Sequence, residues 1–296
     1  MKIESISEKL FFTTVRIDTV TTAGQGSGTG FFFNYQRDGW VYPFIVTNKH
    51  VINGAKNWKF TFIKKKNGEP ILGDIFPVEM DSEKSPNAWF GHPDPEIDIV
   101  VFPTGQFTNF VKQTYDTEFF MTGIQTSNIP NAEQMQELDA IEEITFIGYP
   151  NGVWDTKNFL PVARRGTTAS PITVDFESKP HFLIDASVFG GSSGSPVFIS
   201  DLGGTYAKKT GGTVAGSRFY FVGVVAAVFF RTNLNEIIPV PIPTQVRPMA
   251  KQEEMIDLGI VIKARTVVET IEAFLKTVPQ PPAAPDPLSQ ATSEPE

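Results

Sequence analysis

The stretch "GGSSGSPVF" at residues 190–198 places three serines among three glycines and ends in a short apolar run. Two overlapping patterns in it select different serines. Gly-x-Ser-x-Gly would make Ser192 reactive, whereas Gly-x-Ser-Gly-x-Pro would make Ser193 reactive. The choice also decides the fold, because the two patterns belong to different architectures.

The order of residues along the chain excludes the first pattern. Gly-x-Ser-x-Gly marks the nucleophile elbow of an α/β-hydrolase, in which the catalytic histidine follows the serine. Here the three histidines, His50, His92 and His181, all precede residue 190. The chain also shows no repeated alternation of strands and helices. The second pattern, with Ser193 as the nucleophile, is therefore favoured.

A serine of the second kind needs an upstream base and acid, in the order histidine, aspartate, serine. His50 closes the strand-like stretch "FIVTNKHV" at 44–51, and Asp98 opens "DIVVFP" at 98–103. Asp94 is a rival acid, but it lies in a Pro-flanked loop. The other two histidines lack a comparable context and are expected on the surface. The sequence thus predicts His50, Asp98 and Ser193 as catalytic.

Composition excludes several other classes of function. The chain has 296 residues, 12% of them aromatic, and no cysteine, which rules out disulfides and thiolate nucleophiles. No spacing typical of a metal site is present, so neither metal nor cofactor is expected. A net charge of −8 without a basic stripe argues against nucleic acid. The acidic residues of "MKIESISEKLFF" argue against a signal peptide, and no apolar run is long enough to span a membrane. A cytoplasmic protein is expected.

The pattern of apolar residues indicates an all-β fold. Short β-branched and aromatic runs alternate with Gly, Pro, Asn and Asp, which is typical of antiparallel sandwiches or barrels. The strand-like runs lie at 10–17, 28–35, 41–48, 58–65, 98–103, 143–150, 181–188, 195–200 and 218–230. Helical spacing predicts a helix over 264–278, and 131–140 could form a short one. The Pro-rich residues 279–296 predict a disordered tail.

Five stretches together resemble a known family. "TNKHV" (47–51), "IDIVVF" (97–102) and "GSSGSP" (191–196) are similar to the histidine, aspartate and nucleophile segments of trypsin-like (chymotrypsin-fold) serine peptidases. "GTGFFF" (28–33) and "FIGYPNGV" (146–153) are also similar to segments of that family. The resemblance spans roughly residues 10–275. It is closest to the bacterial cytoplasmic and HtrA-like branch, here without a PDZ domain.

The resemblance implies two antiparallel six-stranded β-barrels and a C-terminal α-helix. Residues 1–120 would form the N-terminal barrel with His50 and Asp98, and 121–140 the connector between barrels. Residues 141–278 would form the C-terminal barrel with Ser193 and the helix, followed by the tail at 279–296.

The resemblance also implies a serine endopeptidase that acts on proteins or peptides. His50 would take the proton of Ser193, and Asp98 would hold the imidazole in the correct tautomer. The backbone N–H groups of Gly191 and Ser193 would form the oxyanion hole. A protein partner could restrain or trigger such an enzyme.

The predicted substrate pocket departs from that of trypsin. Ser187 stands where trypsin has the aspartate that binds Lys or Arg. Ala226, Ala227 and Val228 would pair with the substrate backbone, and Val228 would narrow the pocket. Small or medium apolar residues are therefore expected before the cleaved bond. Since Ala226 lacks the hydroxyl that relatives offer to the aspartate, an inactive trypsin-fold binding or scaffold module is the alternative.

Overall fold

The chain is mostly β-strand, which confirms the predicted fold class. The computed structural model describes residues 2–151, 153–233 and 252–279, and for 230–233 and 252–256 it describes the backbone alone. The strands of the N-terminal half are β1 (Thr14–Thr21), β2 (Gly24–Arg37), β3 (Trp40–Thr47), β4 (Ala55–Lys66), β5 (Glu69–Asp81), β6 (Phe90–Gly91), β7 (Val100–Pro103) and β8 (Ile124–Gln125). The strands of the C-terminal half are β9 (Glu143–Gly148), β10 (Val162–Thr168), β11 (His181–Asp185), β12 (Pro196–Asp201), β13 (Thr205–Ala207), β14 (Thr213–Ala215), β15 (Arg218–Asn233) and β16 (Gln252–Lys263).

The N-terminal strands form one eight-stranded sheet, whereas the resemblance implied six strands in this half. The hydrogen-bonded order is β5-β4-β1-β2-β3-β7-β6, with β8 pairing parallel to β2. Strand β2 is long enough to serve two partners, since residues 24–31 pair with β1 and residues 31–37 pair with β3. The hairpin between β4 and β5 turns at Asn67 and Gly68, which both have positive φ, as a tight hairpin turn requires.

The C-terminal strands close into a six-stranded antiparallel barrel. Its order is β10-β11-β16-β15-β12-β9, and the small hairpin β13–β14 stands outside it. Inward-facing apolar side chains of five of the six barrel strands, all except β10, fill its interior. They include Ile144, Phe146, Phe182, Ile184, Val197, Ile199, Val222, Val225 and Val261.

The described part of the chain contains five α-helices: α1 (Ile6–Leu10), α2 (Lys49–Ile52), α3 (Gly105–Tyr115), α4 (Ala132–Glu137) and α5 (Arg265–Leu275). The predicted C-terminal helix is therefore present, slightly shorter than expected. The elements without a counterpart in the sequence prediction are β5, β6, β8, β10, β13, β14 and β16 among the strands and α1, α2 and α3 among the helices. Of the predicted tail, residues 280–296 lie outside the described residues. No helix among the described residues combines the length and the apolar character that a membrane span requires.

A shared apolar core joins the two halves. Phe31, Phe33 and Phe44 of the N-terminal sheet belong to the same buried cluster as Phe198 and Phe221 of the barrel. Helix α5 adds its buried face to this cluster through Val267, Ile271 and Leu275. The amphipathic spacing that predicted the helix thus reflects its position over both halves. The C-terminal end of β3 lies close to the loop that precedes β12.

Candidate active site

His50 is presented by the short helix α2 directly after β3. The helix begins at Lys49, with Asn48 as its N-cap. The ring Nδ1 of His50 lies 2.5 Å from Oδ2 of Asp98, and the backbone N–H of His50 donates to Oδ1 of the same carboxylate (3.0 Å). The carboxylate therefore holds His50 by ring and backbone at once. An imidazole bound in this way can carry its other nitrogen, Nε2, as a proton acceptor.

Hydrogen bonds from two neighbouring side chains hold the backbone around Asp98 in place. The Asn48 side chain donates to the Asp98 carbonyl (2.8 Å). The ammonium of Lys49 donates to the carbonyls of His92 (3.0 Å) and Asp94 (2.9 Å), which anchors the loop leading to Asp98. Burial lowers the pKa of Lys49, with the charges of Asp98 and Asp94 opposing the shift. Lys49 and Asn48 are positioning residues that the sequence analysis did not identify.

The rival acid and the two other histidines have different surroundings. The Oδ1 of Asp94 accepts the backbone N–H of Glu96 (2.9 Å), so that carboxylate stabilises its own turn. The prediction that His92 is a surface residue is wrong, because its side chain is only 9% exposed and its Nε2 lies 3.3 Å from Glu269 on α5. His181 is half-buried, and burial lowers its pKa. Helix α5, which the sequence does not link to His92, accounts for its burial.

The loop at residues 190–195, which we call the nucleophile loop, has a backbone conformation that requires glycine at two positions. Gly191 and Gly194 both have φ of +86°, in the left-handed region that favours glycine. A Cβ at Gly194 would collide with the carbonyl oxygen of Thr29. Buried Thr29 also clamps the loop, because its N–H donates to the Ser193 carbonyl (2.9 Å) and its hydroxyl to the Gly191 carbonyl (2.9 Å). Strand β2 of the N-terminal half thus holds the nucleophile loop of the C-terminal half in place.

These hydrogen bonds of Thr29 hold the nucleophile loop next to the end of β3 that leads to His50. The hydroxyl of Thr47, three residues before His50, donates to the Thr29 carbonyl (2.7 Å). An added Cβ on Gly194 would come within 2.5 Å of that same hydroxyl. The nucleophile loop therefore packs against the residue at the end of β3, from which helix α2 carries His50.

Accessibility distinguishes the three serines of the loop. Ser192 and Ser195 are 1% and 0% exposed, and neither hydroxyl has a hydrogen-bond partner in the described part of the chain. Ser193 is partly exposed. Within the described residues its hydroxyl forms no hydrogen bond with His50, and catalytic hydrogen bonds are often long before substrate binds. A reagent from solution can reach Ser193, and the other two hydroxyls are shielded.

Two backbone donors in the loop are available for an anion. The Gly190 carbonyl accepts the N–H of Asn151 (2.7 Å), which turns it toward the 150–153 turn. The N–H groups of Gly191 and Ser193 donate to no acceptor among the described residues. Two unpaired backbone donors in one loop are groups that could stabilise an oxyanion.

The predicted substrate edge belongs to β15. The N–H of Gly194 donates to the Val225 carbonyl (2.8 Å), and the Val225 N–H donates to the Ser195 carbonyl (2.9 Å). Pairing of β15 with β12 ends at Val224, while Ala227 and Val228 pair on their other side with β16. Beyond Val225, one edge of β15 is thus open in the described part of the chain.

The structure describes the surroundings of two side chains of the expected pocket. Val228 packs against the barrel core, and Ser187 is partly exposed. The Asp98 carboxylate accepts hydrogen bonds only from His50 among the described residues, as expected if Ala226 supplies no hydroxyl.

Comparison with known proteins gives distant structural neighbours. No curated protein sequence matches the chain. A protease from M. tuberculosis in its active form shares 17% identity, with 92% of this chain and 84% of that chain covered and a TM-score of 0.44. A serine endoprotease from Yersinia pestis shares 15% identity, with 93% and 68% covered and a TM-score of 0.44. Since these likenesses are weak, the family assignment depends on the sequence of the domain.

A family model describes more than half of the chain. The model of the trypsin-like peptidase domain matches residues 28–204. The matched part contains His50, Asp98 and Ser193, and it begins at the strand that clamps the nucleophile loop. The chain therefore belongs to the family of trypsin-like peptidase domains, and its class is that of the serine peptidases.

Proposed function

We propose that the protein is a serine endopeptidase that hydrolyses peptide bonds through an acyl-enzyme on Ser193. One observation supports the proposal most directly. The carboxylate of Asp98 holds both the ring Nδ1 and the backbone N–H of His50, at 2.5 and 3.0 Å. A structural histidine needs no such double contact, whereas a general base needs a fixed tautomer and orientation.

In the first step Nε2 of His50 accepts the proton of the Ser193 hydroxyl as Oγ attacks the substrate carbonyl. The N–H groups of Gly191 and Ser193 stabilise the negative charge on the carbonyl oxygen. Each such donor contributes roughly 3–4 kcal/mol in comparable enzymes. The protonated ring then gives its proton to the leaving amine, and Asp98 stabilises the imidazolium throughout.

In the second step water attacks the acyl-enzyme. His50 takes a proton from that water, and the same two N–H groups stabilise the second oxyanion. Return of the proton to Ser193 Oγ releases the carboxylic acid product. The chain's own residues thus suffice for the complete cycle.

Specificity is proposed for small or medium apolar residues before the cleaved bond. Ser187 offers no anion for a Lys or Arg side chain, and an unpaired charge in an apolar pocket is costly. Val228, half-buried against the barrel core, would narrow the pocket at a position where relatives have glycine. The exposed backbone edge at 226–228 would pair with the substrate as an added strand.

Changing Val228 to glycine is expected to raise the preference for Phe over Ala before the cleaved bond by about tenfold, since pocket methyl groups are worth 1–3 kcal/mol. Two otherwise identical peptides with Phe or Ala at that position measure the ratio of kcat/KM. The variant Ala227→Gly, at the neighbouring exposed residue, should keep the wild-type ratio. A Phe preference that does not change in Val228→Gly would show that Val228 is not a pocket wall.

The experiment that tests the proposed function is covalent labelling with a fluorophosphonate, which reacts with activated serines. Wild type and Ser192→Ala should be labelled, and Ser193→Ala should not, because the buried Ser192 hydroxyl is shielded from the reagent. Mass spectrometry of the labelled peptide identifies the modified residue. Labelling that persists in Ser193→Ala and disappears in Ser192→Ala would refute the assignment of the nucleophile.

A second candidate function is a trypsin-fold binding module without turnover. It is favoured by the absence of a hydrogen bond between Ser193 and His50 in the described residues and by the small set of donors on Asp98. A folded wild-type protein that is neither labelled nor able to cleave a peptide library would support this candidate, provided that a protein partner does not restore the activity.

A further inference from the structure

A pocket of about 620 Å³ lies beside the nucleophile loop, on the face formed by Pro150, Asn151, Val153 and β10. Its rim is apolar, with Val153 63% exposed, Phe189 43% exposed and Val162 half-buried. The one charged residue of its lining is Arg164, and we refer to it as the Arg164 pocket. Exposed apolar side chains around a concave site are typical of a surface that binds a ligand.

The Arg164 guanidinium is held in place without an acidic partner. Its Cζ lies 4.6 Å from the centroid of the Phe189 ring and 5.9 Å from that of Phe146. Among the described residues, no carboxylate lies within ion-pair distance of it. Burial lowers the pKa of Arg164, and the charge of exposed Asp257 partly opposes this shift. The cation has therefore lost part of its hydration without a paired anion in return.

The neighbouring residue provides a contrast within the same strand. Arg165 is exposed, as expected for the alternate position of β10, and it does not belong to the lining of the pocket. The orientation of Arg164 toward the pocket thus follows from strand alternation and from its stacking on Phe189. A planar guanidinium with free donors binds carboxylates preferentially, often through two parallel hydrogen bonds.

The topology indicates which part of a substrate would reach this pocket. In the barrel order, β10 is three strands away from β15 in either direction, so the pocket lies across the barrel from the 226–228 edge. The acyl half of a substrate would occupy that edge. Gly190 and Asn151 line the pocket, and Gly190 directly precedes the oxyanion donor Gly191. The half of the peptide that follows the cleaved bond would therefore pass the Arg164 pocket.

We infer that the Arg164 pocket binds the carboxylate of an aspartate or glutamate in the part of the peptide substrate that follows the cleaved bond. The inference rests on the proposed function and adds a specificity determinant to it. The acidic side chain would pair with Arg164, and its methylene groups would contact Phe189 and Val162. An enzyme of this kind cleaves between a small apolar residue and a nearby acidic one.

The test is a positional scan with quenched fluorescent peptides. Each peptide has Ala before the cleaved bond and carries either Glu or Gln at one of the first four positions after it. In wild type, Glu at one position should raise kcat/KM at least about tenfold over Gln, as a hydrogen bond to a charged group predicts. The ratio should fall as salt is added. It should drop to about one in Arg164→Gln, remain partly in Arg164→Lys, and be unchanged in Arg165→Gln.

Labelling of Ser193 by a fluorophosphonate verifies that each variant is folded. A Glu-to-Gln ratio near one at all four positions in wild type, with cleavage intact, would overturn the inference and leave the proposed function standing. A ratio that persists in Arg164→Gln would also overturn it. Absence of both cleavage and labelling in wild type would instead refute the proposed function.

A further experiment distinguishes binding of a substrate side chain in the Arg164 pocket from binding of an independent effector. An uncleavable acidic tetrapeptide with the sequence of the leaving half is added to the Gln substrate. Competition, seen as slower cleavage that Arg164→Gln relieves, supports the inference. Faster cleavage in wild type would mean that the pocket takes a separate activating peptide, which overturns the assignment to the substrate.

Discussion

Replacing Asp98 with asparagine is expected to lower kcat by about four orders of magnitude. The backbone N–H of His50 donates to Oδ1 of Asp98, so an asparagine would keep its carbonyl oxygen at that position. Its amide NH₂ would then face Nδ1 of the ring, 2.5 Å away in the wild type. A donor there stabilises the tautomer that carries its proton on Nε2. His50 could no longer accept the proton of Ser193.

The kcat of a good peptide substrate, together with the rate of the acylation burst, measures this effect. Asp94→Asn is the matched control, because the Asp94 carboxylate accepts the Glu96 N–H and does not contact the ring. The control should keep kcat within about twofold of wild type, since its turn can be held by an amide oxygen as well. Asp98→Asn that retains more than a tenth of the wild-type kcat would contradict the role assigned to Asp98.

Replacing Glu142 with alanine is expected to reduce the free energy of unfolding by about 3–5 kcal/mol, the usual cost of removing one partner from a buried ion pair. The guanidinium of Arg218 donates to both oxygens of Glu142 (3.2 and 2.8 Å) and to Asp201 (2.7 Å). The side chains of Arg218 and Glu142 are 7% and 8% exposed. The change would leave the arginine buried with Asp201 as its remaining anion.

Urea unfolding monitored by tryptophan fluorescence measures this loss. Glu79→Ala is the control, because Glu79 lies 3.8 Å from Lys59 and both side chains are exposed, so it should cost no more than about 0.5 kcal/mol. The double variant Glu142→Ala with Arg218→Met should recover part of the stability, since it removes a buried charge that has lost one of its two anions. A loss below about 1 kcal/mol in Glu142→Ala would show that the pair is not a determinant of the barrel's stability.

The prediction of the site from sequence depended on local context. His50 at the end of a strand, Asp98 at the start of another and Ser193 in a glycine-rich loop were predicted because their immediate neighbours carry the signal. The supporting residues carry no such signal. Thr29 contacts the nucleophile loop across more than 160 positions of the chain. The importance of such a residue depends on a contact that no short motif encodes.

Some elements were missed for a related reason. Helix α3 has Val111 as its one buried residue, and its few apolar residues stand among polar ones. Strand β5 has one buried residue, Pro70. It lies at the edge of the sheet, where it pairs with β4 alone. Periodicity predicts an element only where one of its faces is buried. Elements at the periphery, such as these, give weak patterns.

By itself the sequence determined the fold class, the C-terminal helix and the family, because apolar alternation, helical spacing and short catalytic motifs are local properties of the chain. Only the tertiary structure decided that β2 serves two strands, that α5 completes a core common to both halves, and that Arg164 faces a pocket with no acidic partner among the described residues. These features depend on contacts between residues that are distant in sequence. Such contacts determine which side chains are buried and which are paired, and burial and pairing change the chemical properties of a side chain.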